Sequence, residues 1–132
     1  MHLSDYLETH LCNAVLGGGT FTKYSPVYIA LFTTGPTDAG TGTEVSGGSY
    51  TRVSVTNNSI NFPDASGGTK SNNAEFIFPT ATADWGVITG MGIFSAASAG
   101  NCLFAFTFPA TKTILNGDTA KFAVGSISIS FD

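Results

Sequence analysis

From Gly17-Gly18-Gly19 onward, Gly, Asn, Asp and Pro cut the chain into short runs that are either apolar or alternating. Such punctuation leaves no room for a second long helix. Pro lacks the N–H that a helix interior needs, Gly is costly to order, and Asn and Asp bond their own backbone in turns. Short runs bounded by turn residues are the layout of an antiparallel sandwich or barrel. The composition agrees: charged residues make up 11% of the chain, against about 25% in an average domain. Phe (11) and Gly (16) are abundant, and Thr, Ser and Asn fill polar positions that Lys and Glu would hold in a helical protein. At 132 residues and 42% hydrophobic, the chain can bury roughly two-thirds of its unfolded surface. The expectation is one mainly β domain over 1–132, an antiparallel β-sandwich of jelly-roll or immunoglobulin-like type with one short N-terminal α-helix.

The helix is expected over 3–16, where Leu3, Leu7, Leu11 and Val15 recur at i+4. Ser4 fits the N-cap, Asp5 and Glu8 suit the positive end of the dipole, and Gly17-Gly18-Gly19 supplies a left-handed terminator. Such a helix either caps an open end of a sheet or docks on another subunit. Val27 to Thr34 is the strongest strand, nearly all apolar at first and so suited to burial on both faces. Tyr50 to Thr56 alternates, with Val53 and Val55 inward and Arg52, Ser54 and Thr56 on a wet face. Further strands are expected at Ser59–Phe62, Ala74–Phe78, Gly86–Phe94, Cys102–Phe108, Ala120–Val124 and Ser126–Phe131. Phe76, Phe78, Phe104, Phe106 and Phe108 recur at period two and read as an inward sheet face.

The segment 35–49, rich in Gly and Thr, is long for a loop without structure. It is either a mobile surface loop or an arm that orders against a neighbour, with Glu44 and Val45 as its adhesive side chains. A second polar insert, 63–73, has the same character.

Five Lys+Arg against nine Asp+Glu give a net charge of −4, with no basic block. Nucleic acid is a poor partner for such a surface, since phosphate binding rests on clustered cations. No run approaches the roughly 20 apolar residues of a membrane helix, so no membrane partner is expected. The first residues lack the n- and h-regions of a signal peptide, which points to a protein made in the cytoplasm and used without Sec export. Cys12 and Cys102 lack CxxC spacing and read as two buried thiols rather than a disulfide.

Catalytic chemistry needs convergent titratable groups, and this sequence is nearly bare of them. His2 and His10 stand eight residues apart without the third ligand of a zinc motif, so neither a metal nor another cofactor is expected. Asp38, Asp64, Glu75, Asp84 and Asp118 fall mainly in turns, where Asp84-Trp85-Gly86 and Asn116-Gly117-Asp118 read as backbone-bonding corners. Neither GxxxxGK[ST] nor GxGxxG precedes a helix. No catalytic residue is assigned. Trp85, the single Trp, reads as an edge plug or an interface anchor.

Leu3-Ser4-Asp5-Tyr6-Leu7-Glu8, the run Val27 to Thr34, Gly42-Thr43-Glu44-Val45-Ser46-Gly47-Gly48-Ser49-Tyr50-Thr51-Arg52, Thr80-Ala81-Thr82-Ala83-Asp84-Trp85-Gly86 and Gly92-Ile93-Phe94 together resemble the tail-fibre-like small virion structural proteins of tailed bacteriophages and prophages. The resemblance spans nearly the whole chain. It implies a non-enzymatic virion protein in a symmetric assembly, made in the host bacterial cytoplasm. The expected role is a small capsid decoration or cement protein, because neither heptad nor repeat is present to build a fibre shaft. Its expected partners are further copies of itself, with a trimer in view, and the major capsid protein or other virion proteins. The alternative is a tail or tail-fibre component touching a host surface glycan through Trp85, Tyr24 or Tyr50; a lectin or carbohydrate-active enzyme using Asp84 and Trp85 is a third reading. Interface candidates are Glu44, Val45 and Arg52, the chain's one arginine, with Asp84 and Trp85. An Arg can hold a carboxylate or backbone carbonyls bidentately.

Overall fold

The computed structural model describes residues 1–131; Asp132, the last residue of the expected 1–132 span, lies outside the described residues. The elements run β1 (His2–Leu3), α1 (Asp5–Val15), β2 (Val27–Thr34), β3 (Thr43–Glu44), β4 (Val53–Val55), β5 (Thr69–Ser71), β6 (Phe76–Ile77), β7 (Gly86–Phe94), β8 (Cys102–Ile114), β9 (Lys121–Phe122) and β10 (Ser128–Ser130). The fold is mainly β with antiparallel sheets and a short helix near the N-terminus. One sheet has the order β1-β8-β7-β2-β3, with β4 also on β2, and two ribbons, β10-β5 and β6-β9, form apart from it.

Both faces of the large sheet are covered, as the apolar run in β2 requires. Val27, Ile29 and Leu31 point to the side shared with Met91, Ile93, Phe76, Phe78 and Ile127, while Ala30 and Phe32 point to the other, beside Phe94, Cys102 and Ala105. The second face sets Ala30, Ala105, Cys102 and Gly92 beside the stacked rings of Phe32 and Phe94, and the segment after β2 folds across it. A Cβ on Gly92 would lie 3.2 Å from Pro36 Cγ and 2.6 Å from the Phe94 ring. Gly40 sits at φ +75°, where a Cβ would come 2.7 Å from that of Cys102. Thr37 and Thr41 close this turn by a backbone bond of 2.8 Å and a hydroxyl contact of 2.7 Å. The Asp38 carbonyl then accepts from the Asp5 amide at 3.0 Å, which ties the turn to the start of α1.

Ser4 caps α1: its Oγ accepts from the Leu7 amide at 3.1 Å and donates to the Cys102 carbonyl. Leu3 is withdrawn from the expected helix into β1, paired with Phe104. Three expectations need correction. Ser59–Phe62 is a turn, because Asn58 Oδ1 takes the amides of Ile60 and Asn61 at 3.1 and 2.9 Å before any ladder can. Cys12 lies on the solvent side of α1 and is exposed, whereas Cys102 is buried. Phe131 is 55% exposed although it continues the alternation of Ile127 and Ile129, both buried.

Asn72 joins the smaller ribbons. Buried, it donates to the carbonyls of Ala74 and Ala123 at 2.8 and 2.9 Å and accepts from the Ile127 amide at 2.9 Å. All of its side-chain contacts are to backbone, so it acts as a rivet between β5, β9 and β10 rather than as a reactive group.

Replacing Gly40 with Ala should lower unfolding free energy by about 2–4 kcal/mol, the sum of positive-φ strain and overpacking against Cys102. Urea denaturation checks it. A loss within about 0.5 kcal/mol, the range of an inert surface change, would mean that 35–42 does not pack on the sheet.

Candidate functional site

β3 and the turn after it carry the densest polar cluster. β3 pairs with the end of β2, which brings Glu44 opposite Phe32, and the Val45 amide extends the ladder to the Leu31 carbonyl at 3.0 Å. Val45 is thereby buried in the main core. The chain then reverses through Gly47, Gly48 and Ser49, all at positive φ. Gly is suited to that geometry, and its missing side chain matters at Gly48, where a Cβ would stand 2.9 Å from Trp85 Nε1. Trp85 Nε1 donates to the Gly48 carbonyl at 2.9 Å.

Arg52 is the centre of the cluster. Its Nε and Nη2 donate to Glu44 Oε1 and Oε2, each at 2.8 Å, a bidentate pair. Nη1 donates to the carbonyls of Ala96 and Ala99 at 2.8 and 2.9 Å, and the guanidinium lies 4.2 Å from the Phe94 ring centroid. Ala99 is at φ +50°, so the arginine holds the tip of the β7–β8 hairpin in a conformation few non-Gly residues adopt. Tyr50 completes the cluster: its hydroxyl donates to Glu44 Oε1 at 2.8 Å and accepts from the Leu31 amide at 2.9 Å. Its ring stacks on Phe78 and meets Trp85 edge-on.

Electrostatics follows from that geometry. Burial alone would raise the Glu44 carboxyl, but the Arg52 guanidinium and the Tyr50 hydroxyl outweigh it and hold it below the usual carboxylate range. The bond from Glu44 raises Arg52, and burial together with the neighbouring carboxylate pushes Tyr50 well above the ordinary phenol range. Burial pushes the Cys102 thiol up to about 11. All three groups of the cluster keep their charge states near neutrality, so the site is a fixed clamp and offers no group poised to exchange protons.

The structure brings Glu44, Val45, Arg52 and Trp85 together. Asp84 stands apart on the exposed side of the corner, where its Oδ1 accepts from the Asn116 amide at 2.8 Å. The wet strand face expected for Arg52, Ser54 and Thr56 is present at Ser54 and Thr56, both exposed, but not at Arg52, whose side chain is 6% exposed because the 96–99 hairpin and Glu44 close over it. Trp85 is buried and plugs this chain's own core. Tyr50 is half-buried and engaged at both sides of its hydroxyl, which removes it as a free aromatic platform. Sequence reading missed the link from Arg52 to Ala96, Ala99 and Phe94, a contact across more than 40 residues that no local pattern announces. The adhesion of Glu44 and Arg52 follows from their chemistry, and within the chain it joins them to each other and to the 96–99 tip.

His10 Nδ1 contacts the Tyr6 carbonyl of its own helix at 2.8 Å. Among the described residues no group of three His, Cys, Asp or Glu gathers as a metal would need, and no helix is long and apolar enough to cross a membrane.

A β fold whose one arginine is spent on holding its own loops has the make-up of a structural subunit. The family model described as Podophage GP4 fiber I protein gp80 matches residues 2–130, and the chain belongs to that family of phage fibre proteins. It is therefore a virion-associated protein of the tail-fibre type. No curated protein matches the chain.

Arg52→Ala leaves Glu44 partly buried without its cation, held by the Tyr50 hydroxyl alone, and frees two carbonyls, and should cost about 2 kcal/mol once the carboxylate's residual exposure is allowed for. Arg52→Lys should recover only part of it, since an ammonium cannot copy the fork. Denaturant unfolding of both variants checks this; equal stability of wild type and Arg52→Ala would refute the clamp.

Acid should weaken the same contact. Because the folded carboxyl of Glu44 is held low, its contribution is complete above the usual carboxylate value of about 4.3 and is lost as pH falls through the lower folded value. Thermal unfolding of wild type should therefore drop over that acidic window by more than that of Glu44→Gln. Parallel pH profiles for the two would contradict the assignment.

Proposed function

We propose that the chain is a non-enzymatic building subunit of the phage tail-fibre apparatus that assembles with further copies of itself and contacts neighbouring virion proteins. The observation that carries this is the family match over residues 2–130. The clamp supports a structural role, because its charged groups are consumed in holding loops and none is left poised for acid–base work. Synthesis in the host bacterial cytoplasm goes with the same reading. Contact with a host glycan, if the subunit makes it, uses surface other than Trp85, which is buried.

One observation favours a second role, capsid decoration or cement on the major capsid protein. A projecting fibre usually needs a coiled coil or repetitive shaft, and the longest helix among the described residues is the 11-residue α1. A compact subunit without a shaft suits a shell-bound protein as well as the base or joint of a fibre.

Cryo-electron microscopy of intact particles, with quantitative mass spectrometry of the same preparation, separates the two. A few copies located at the tail are expected. Hundreds of copies distributed over the head would overturn the tail assignment in favour of decoration.

A further inference from the structure

The apolar stripe of α1 is only half covered. Leu7 is buried and Leu11 half-buried, but Val15, one turn further, is 78% exposed and Leu16 80%. Beside the covered half lies an open cleft of about 380 Å³, walled by Leu7, Leu11, Phe21, Phe62, Phe104 and Ile129. Its lining is almost wholly apolar, so water in it finds few polar partners. Val15 and Leu16 are not among its walls, so the chain carries an apolar knob and an apolar hole that it does not fit together itself. A knob and a hole on one surface are what identical subunits need to mate, either reciprocally or in a closed ring.

Charge supports the same pairing. Among the described residues, the charged side chains bordering the cleft are Lys23 and Lys70, two of the five cationic residues in the chain. The last turn of α1, which bears the knob, has no basic residue of its own. Its terminal carbonyls carry the negative end of the helix dipole, which a neighbouring cation stabilises. A knob that is negative by its backbone thus matches a hole rimmed by lysines.

We propose that Val15 and Leu16 at the end of α1 in one copy seat in the Leu7–Leu11 cleft of a second copy, with Lys23 and Lys70 of that copy at the helix end. The inference rests on the proposal that the chain assembles with itself, and it assigns the surface that does so.

The test is sedimentation velocity of the full chain at micromolar concentration, with two variants. Val15→Gln combined with Leu16→Gln removes the knob, and Ala65→Trp, at an exposed residue lining the cleft, fills the hole. All three positions are exposed, and circular dichroism melts should match wild type. Wild type should be oligomeric, and each variant should weaken assembly roughly a hundredfold or more, as loss of an interface anchor does. Mixing the variants should restore a complex, because the knob of Ala65→Trp still meets the open cleft of the double variant. A monomeric wild type would overturn self-assembly itself. An oligomer unaffected by either variant would overturn this surface while leaving self-assembly standing, and variants that fail to complement would overturn the knob-in-hole pairing.

Discussion

The fork between Arg52 and Glu44 ties together three segments that the sheet gathers around β2 but does not itself join to one another. Glu44 belongs to the segment that returns from β2, Arg52 leads into β4, and the Ala96 and Ala99 carbonyls belong to the tip of the β7–β8 hairpin. Four donors of one guanidinium serve all three. Water does not reach them well, so the interaction is stronger than a surface pair, and its loss would leave polar groups without partners. Tyr50 extends the clamp into the core by bonding Glu44 above, stacking on Phe78 and meeting Trp85 edge-on below.

Much of the β architecture is legible because it depends on local pattern. The apolar run Val27–Thr34 and the run Gly86–Phe94 become β2 and β7 with the expected ends, and Ser4 and the glycine triplet bound the helix as their chemistry dictates. Failures come where a side chain competes with the ladder or a distant partner intervenes. Asn58 turns Ser59–Phe62 away from strand, and β8 continues past Phe108 to Ile114, with four residues bulged between its two stretches of pairing with β7. The long 35–49 segment gains order from the absence of Cβ atoms at Gly40 and Gly92, which lets its turn lie directly against Cys102 and the Gly92 stretch of β7. Composition flags the glycines but not what they approach.

The candidate site was half legible. Glu44 and Arg52 stand out in a chain poor in charged residues, and their type predicts adhesion; whether the adhesion joins two chains or one is a matter of tertiary reach that spacing does not encode. Trp85 could plug or anchor by composition alone; its burial and the bond of its N–H to the Gly48 carbonyl are tertiary facts that composition does not carry. The phage-fibre character rests on motifs spread across nearly the whole length rather than on any catalytic constellation, consistent with a protein whose chemistry is spent on shape.

The most direct measurement of the clamp's role is amide hydrogen exchange on the isolated chain, read at Val45 and Tyr50 and at the Leu31 amide that bonds the Tyr50 hydroxyl. Protection comparable to the β2–β7 ladder is predicted, because the segment is folded onto its own sheet. Exchange at the rate of an open loop, with protection gained only in the assembled particle, would contradict it and make 43–50 an arm that orders on a neighbour.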